Sequence, residues 1–301
     1  MFGALLALAS AASFALTNAF FRRGAFTGSV VLAMVITVPL GALVFLAVAA
    51  AAGLLPLLGE FSGVSLVLFA LAGVLHFVCG RYCNFRAIKA AGAVVAGPLV
   101  DSGILWTVLA AVFLLGETLT PLSMAGIALI MIGPSLSLRG RRLPQRTESG
   151  FEPRYREGVT FALLASLCFG LSPILVGFAL PAASGIGTGI AGGLVSYGAA
   201  ALLVLPVLLI GTSRTAISAA GRAETGWFTL SGVMISLSQM ARYMALAVAP
   251  VSLVMPLLRT AIVFRLLFAW LLNRKAEVLT RDAIATTVVC GAGVMLMALG
   301  L

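Results

Sequence analysis

Charge is scarce in this chain. Of 301 residues only 9% are charged, and nine acids face nineteen bases. There is one histidine, His76. A His-Glu-x-x-His zinc site needs two, so that hydrolytic chemistry is excluded. Only Asp101 brings a carboxylate into the middle of a long apolar run, which leaves no paired-carboxylate centre at depth. The GxxxxGK[ST] phosphate loop is missing too, so ATP is not the direct source of drive. The four cysteines, Cys79, Cys83, Cys168 and Cys290, lie in or beside apolar stretches. Free cysteine there behaves as a small hydrophobe, and no disulfide framework is implied. His76, Cys79 and Cys83 are spaced to share one face of an α-helix, but a complete metal site needs a fourth ligand. No metal and no cofactor is expected. The opening residues, MFGALLALAS, lack a basic n-region, and Arg22 and Arg23 follow the apolar stretch instead of preceding it. The first helix is therefore read as retained and not as a cleaved signal.

What the chain has in abundance is apolar length. With 61% hydrophobic residues and a mean hydropathy of +1.17, several runs approach the roughly 20 residues that span a bilayer. An all-α polytopic membrane protein is expected. Apolar runs between polar breaks predict ten helices: Gly3 to Phe21, Ser29 to Leu54, Val64 to Tyr82, Ala91 to Leu115, Pro121 to Leu138, Gly158 to Leu180, Gly185 to Ile210, Trp227 to Val248, Val251 to Leu272 and Ala283 to Leu301. Pro39 and Pro206 predict kinks in the second and seventh. The one extended hydrophilic segment, residues 139–157, falls between the fifth and sixth and divides the chain into residues 1–138 and 158–301.

The two parts echo one another. A shift of 158 carries Phe85 to Tyr243, Ala87 to Ala245, Pro98 to Pro256, Ile104 to Ile262 and Asp101 to Arg259. A shift of 155 carries Gly3 to Gly158, Phe14 to Phe169 and Thr17 to Ser172. Five helices per copy is an odd number, so the second copy enters the membrane from the opposite side. That makes an inverted repeat, of the kind that sets substrate sites near the midplane between its halves. Chance alignment of Ala, Leu, Val and Gly is the bland alternative.

The net charge of +10 does not call for nucleic acid. The basic residues, from Arg22 and Arg23 through the linker to Arg274, Lys275 and Arg281, fall in loops after odd-numbered helices, whereas the other side carries only Glu60 and Glu117. The positive-inside rule then puts the basic loops in the cytoplasm and both termini outside, in an inner membrane. The lipid bilayer, a small-molecule substrate and a possible second copy in a homodimer are the expected partners.

An ionised carboxylate at bilayer depth costs about 2.5–3.5 kcal/mol on insertion scales, so Asp101 is expected to pair, face water or meet a substrate. The predicted substrate-binding set is Asp101 and Trp106 on the fourth helix, Arg259 on the ninth, Gln239, Arg242 and Tyr243 on the eighth, His76 on the third and Asn18 on the first. Ser102, Thr260, Arg265, Arg81, Ser236, Thr17 and Ser172 are further candidates for the lining. Asp101 and Arg259 either neutralise one another or act separately, Arg259 on an anionic group and Asp101 on an ammonium or a proton. Asp101 and His76 are the candidates for proton coupling. Trp106 and Tyr243 either stack on a ring or anchor packing. Gly97, Gly103, Gly126, Gly133, Gly192 and Gly193 allow close helix packing or flexing.

Two segments, NFRAIKAAGAVVAGPLVDSGILWTVLAAVFLLGETLT and RYMALAVAPVSLVMPLLRTAIVFRLLFAWLL, resemble EamA-type members of the drug/metabolite transporter superfamily. The shared features are an aromatic-x-Ala element, a proline-bearing helix, Leu115 to Thr120 as Leu-Gly-Glu-x-Leu-Thr, and a glycine-bearing closing helix. Two departures stand out: SFALTNAFF replaces the Trp-Gly element of the family's first helix, and Arg274-Lys275-Ala276-Glu277 stands where Leu-Gly-Glu is expected. The resemblance implies a five-plus-five fold and transport, and termini in the cytoplasm, against the charge count. The combined expectation is a secondary transporter of an amino-acid-like zwitterion or organic anion, working by alternating access and not an enzyme. A channel and a membrane enzyme acting on a lipid-linked substrate are the alternatives.

Overall fold

The computed structural model describes residues 2–26, 28–115, 120–122, 124–129, 132, 152–181, 184–209, 221–249, 251–273 and 281–299. Of these, 90% are helical, and no strand occurs among the described residues. Helix α1 runs Phe2–Gly24 and α2 runs Val30–Ala51. Ser29 starts α2 by accepting the Leu32 N–H at 3.0 Å, which satisfies one of the free donors of the first turn. A 3₁₀ segment, Leu55–Glu60, leads to α3, Gly63–Ala91, whose start Ser62 caps in the same way through the Ser65 N–H.

Helix α3 outruns the expected end near Tyr82 by about two turns. The polar residues that suggested a break are buried with partners. Arg81 donates to the Tyr197 hydroxyl at 2.6 Å and the Thr37 carbonyl at 3.3 Å, and Asn84 donates to Asn18 at 3.2 Å. Its middle, Val74–Gly80, is π-helical. That wider turn takes His76 off the face it was expected to share with Cys79: His76 is buried and Cys79 exposed, so the spacing rule of a 3.6-residue helix fails there.

Gly92, at φ 86°, holds a backbone conformation that other residues resist and separates α3 from α4, Ala93–Asp101. The predicted fourth helix is split, because α4 stops at Asp101 and α5 begins again at Ile104–Leu115. The predicted fifth helix and the linker up to residue 151 lie largely outside the described residues. Then follow α6, Tyr155–Ala179, and α7, Ile186–Val204, which passes into a 3₁₀ segment, Leu205–Leu209, where Pro206 removes a helical donor. Helix α8 spans Arg222–Val248. The predicted ninth helix is split as well, into α9, Val251–Arg259, and α10, Ala261–Asn273. Helix α11 is Arg281–Leu299.

Among the described residues five helices, α1, α2, α3, α6 and α7, are long and apolar enough to cross a membrane. Large apolar side chains such as Leu5, Leu43, Val67, Leu202 and Val288 stand exposed on the outside of the bundle. A surface of that kind suits lipid tails and not water. Inside, helices meet through small residues. A side chain at Gly73 would run into the Ser196 backbone, and Ser196 Oγ donates across that crossing to the Phe69 carbonyl at 2.7 Å. Helices α1 and α8 are laced by reciprocal bonds: Ser10 Oγ donates to the Ser238 carbonyl at 2.7 Å, and Ser238 Oγ to the Ser10 carbonyl at 2.9 Å.

Basic residues gather at one end of the bundle. Arg86 and Arg154 share Glu157 at 2.6 Å each, Lys89 donates to the Gly28 carbonyl at 2.6 Å, and Arg23 donates to the Leu272 carbonyl at the end of α10. The exit of α1, the exit of α3, the entry of α6 and the exit of α10 therefore share one side.

Candidate functional site

The two breaks are built alike. Ser102 Oγ donates to the Leu99 carbonyl at 2.6 Å, and Thr260 Oγ1 donates to the Leu257 carbonyl at 2.7 Å. The Leu105 N–H reaches the Ser102 carbonyl at 2.9 Å, and the Val263 N–H reaches the Thr260 carbonyl at 3.0 Å. Every donor and acceptor in one set maps to the other by the 158-residue shift. Each break follows a buried charge that ends its helix, Asp101 on α4 and Arg259 on α9.

Asp101 does not pair mainly with Arg259. Its carboxylate takes Arg265 on α10, with Nη1 donating at 2.7 Å and Nη2 at 3.5 Å, whereas Arg259 Nη1 stays 3.9 Å away. Helical geometry explains the choice. Arg259 is anchored at the end of α9, while Arg265 reaches in from the second turn of α10 over Gly97, whose missing side chain leaves the slot its guanidinium fills.

One cavity of about 50 Å³ is lined by Ser10, Ala11 and Phe14 of α1, His76 of α3, Asp101 of α4, Phe169 of α6, Ser238, Gln239 and Arg242 of α8, and Met255, Leu258 and Arg259 of α9. Five of the predicted site residues therefore meet: His76, Asp101, Gln239, Arg242 and Arg259. Three do not line it. Asn18 is spent on Asn84. Trp106 is 39% exposed and donates to Ser166 Oγ at 3.1 Å on α6. Tyr243, although next to Arg242, turns toward α7 and donates to Ser196 Oγ at 2.7 Å. Neighbours in sequence on a helix point about 100° apart, so the Tyr243 hydroxyl leaves the cavity while its ring stays beside Arg242, 5.1 Å from the guanidinium. Among the further candidates, Ser172 sits behind His76, its Oγ 3.0 Å from Nδ1. Ser10, Phe14, Phe169 and Ser238 were missed, since serine and phenylalanine in an apolar run give no signal of the face they take.

The polar groups around this cavity are poorly matched to one another. Arg242 Nη1 lies 3.4 Å from His76 Nδ1. A guanidinium only donates, so Nδ1 is the accepting atom of this contact. Arg242 Nε and Nη2, Arg259 Nε and Gln239 Oε1 are buried without a hydrogen-bond partner. Buried polar atoms are nearly always satisfied, so four orphans around one small space point to an occupant that satisfies them. Arg259 also lines a second cavity of about 320 Å³ beside α10 and α11, whose other walls include Ile262, Val263, Leu266, Val288 and Met295.

No curated protein matches the chain. A solved structure described only as the crystal structure of a protein is similar over 98% of this chain and 95% of its own, with a TM-score of 0.59 and 18% identity. That likeness concerns the fold alone. Residues 1–139 match the EamA-like transporter family. The resemblance read from the first half of the sequence holds, and this apolar helical chain is an integral membrane protein whose residues 1–139 carry the pattern of the EamA-like transporters of the drug/metabolite transporter superfamily.

Proposed function

We propose that the protein is a secondary active transporter of small polar organic solutes, zwitterionic or anionic, working by alternating access. The observation that carries this reading is the mismatch between the size and the chemistry of the central cavity. At about 50 Å³ it has room for a few waters by the measure in which one water needs about 10–15 Å³, yet it is lined by unsatisfied buried groups. A site chemically prepared for a solute but contracted below the solute's size belongs to a protein that must open to load it. In this reading the halves are residues 1–138 and 158–301, inverted about the membrane plane and joined by residues 139–157. The matched hydrogen bonds at the two helix breaks support the repeat. Discontinuous helices meeting at mid-depth are a common way of forming such sites.

His76, Gln239, Arg242 and Arg259 form the binding set beside Asp101, and Asp101 and His76 are the groups able to take up a proton. Protonation of His76 Nδ1 expels the Arg242 N–H that now faces it, which gives coupling a physical route. The basic end of the bundle faces the cytoplasm across the inner membrane. Reconstitution in liposomes tests the reading: uptake must saturate with solute concentration and accelerate when the same solute is loaded on the far side. Unsaturable ion current in planar bilayers would assign the protein to channels, and turnover of a lipid-linked substrate would make it an enzyme.

A further inference from the structure

We infer that the substrate is a small organic dianion, held between Arg242 and Arg259, with Asp101 serving to position Arg265 and not to bind substrate. The inference rests on the transport reading above and narrows its solute class. Three buried guanidiniums, Arg242, Arg259 and Arg265, surround one buried carboxylate, Asp101. Arg265 takes that carboxylate with both of its terminal nitrogens. One carboxylate cannot offset three cations: Arg242 is left without an anion, and Arg259 with only the far side of a carboxylate that Arg265 already holds. Arg242 spends one N–H on the His76 ring, lies against the Tyr243 ring at 5.1 Å, and leaves Nε and Nη2 free. Arg259 leaves Nε free, and its closest approach to Asp101 is 3.9 Å. Arg81, another buried guanidinium, is already held by Tyr197 and Thr37 and does not line the cavity.

Buried charge in a low dielectric is tolerated when it is paired. The candidate solutes therefore differ in what they leave behind. A zwitterion brings no net charge and leaves both cations uncompensated, and its ammonium finds only a carboxylate already taken by Arg265. A monoanion offsets one charge. A dianion offsets both, and the planar fork of arginine suits carboxylate and phosphate oxygens equally. Gln239, whose Oε1 has no partner, is free to accept from a hydroxyl or a singly protonated phosphate on the same solute. The shared chemistry is two negative charges on a compact polar molecule, supplied either by a dicarboxylate or by a phosphate monoester.

The test uses the full-length purified protein and four probes: succinate, glycerol phosphate, alanine and butyrate. Succinate or glycerol phosphate is expected to raise the melting temperature and to bind at least tenfold more tightly than alanine or butyrate, and whichever of the two is tighter identifies the source of the charge. Arg242→Gln and Arg259→Gln each lose that dianion binding by at least tenfold. Both should elute as the wild type does, with a ligand-free melting temperature unchanged or higher, because each removes an uncompensated buried cation. If either fails to fold, Arg242→Lys and Arg259→Lys, which keep the charge but lose the fork, must weaken binding in the same direction. Tighter binding of alanine, dianion binding indifferent to both arginines, or binding of none of the probes overturns the inference. Saturable uptake of alanine would overturn it while leaving the transporter reading in place. Arginine-dependent dianion binding without uptake by liposomes would uphold the anion site and remove the transport reading.

Discussion

Asp101 is held by Arg265 and not by Arg259, the residue 158 positions further along the chain. The carboxylate is bonded to Arg265 at 2.7 Å and only approached by Arg259 at 3.9 Å. Two charges thus stand at matching helix breaks, and Arg259 is left available.

Truncating the two arginines should have unequal effects on stability. Arg265→Ala strands Asp101 in the interior, and loss of one partner of a buried pair costs about 3–5 kcal/mol. Arg259→Gln should leave stability unchanged or raise it, since it removes a buried cation with little compensation. Urea or thermal unfolding in detergent measures both. A double variant, Asp101→Asn with Arg265→Gln, should recover most of what Arg265→Ala loses, and equal losses from the two arginine variants would contradict the assignment.

Gly97→Ala should destabilise, against the general gain of about 1 kcal/mol that Ala brings over Gly in a helix. The added methyl group would occupy the Arg265 guanidinium's place and push it off Asp101. Combined with Arg265→Ala, the same substitution should become neutral or stabilising, and a thermodynamic cycle on melting data reads this directly.

Tyr243→Phe separates packing from binding. It deletes the hydroxyl that donates to Ser196 and should lower stability by about 0.5–1.5 kcal/mol. Solute affinity should stay within twofold, whereas Arg242→Gln, one residue earlier, should lose it. Comparable losses of affinity in both variants would return Tyr243 to the binding set.

Ser10→Ala and Ser238→Ala should be coupled. Their reciprocal bonds tie α1 to α8, and interhelical bonds in membranes average about 0.6 kcal/mol with a maximum near 1.7. The double-mutant cycle should give a coupling energy within that range, and strict additivity would mean that the two helices are held by packing alone.

The sequence by itself determined the class of this protein, its polar anomalies and their register. Apolar length and basic loops follow from the bilayer, which imposes them on any spanning chain, so they are legible without coordinates. Asp101 and Arg259 stood out for the same reason, as charges where charge is costly. Which charge meets which was decided only by the tertiary structure. The pairing depends on the interruption of two helices within a few residues of the charges and on a glycine slot opposite Arg265, and no spacing rule encodes either. The π-helical turn in α3 likewise turned His76 inward and Cys79 outward, against the face expected of an ordinary helix. Tyr243, Asn18 and Trp106 are polar residues of the kind that line sites, but each found a single hydrogen-bond partner in a neighbouring helix. Sequence marks which residues need a partner inside a membrane. Only the packing of the helices decides whether another side chain supplies it or a cavity is left for a solute to do so.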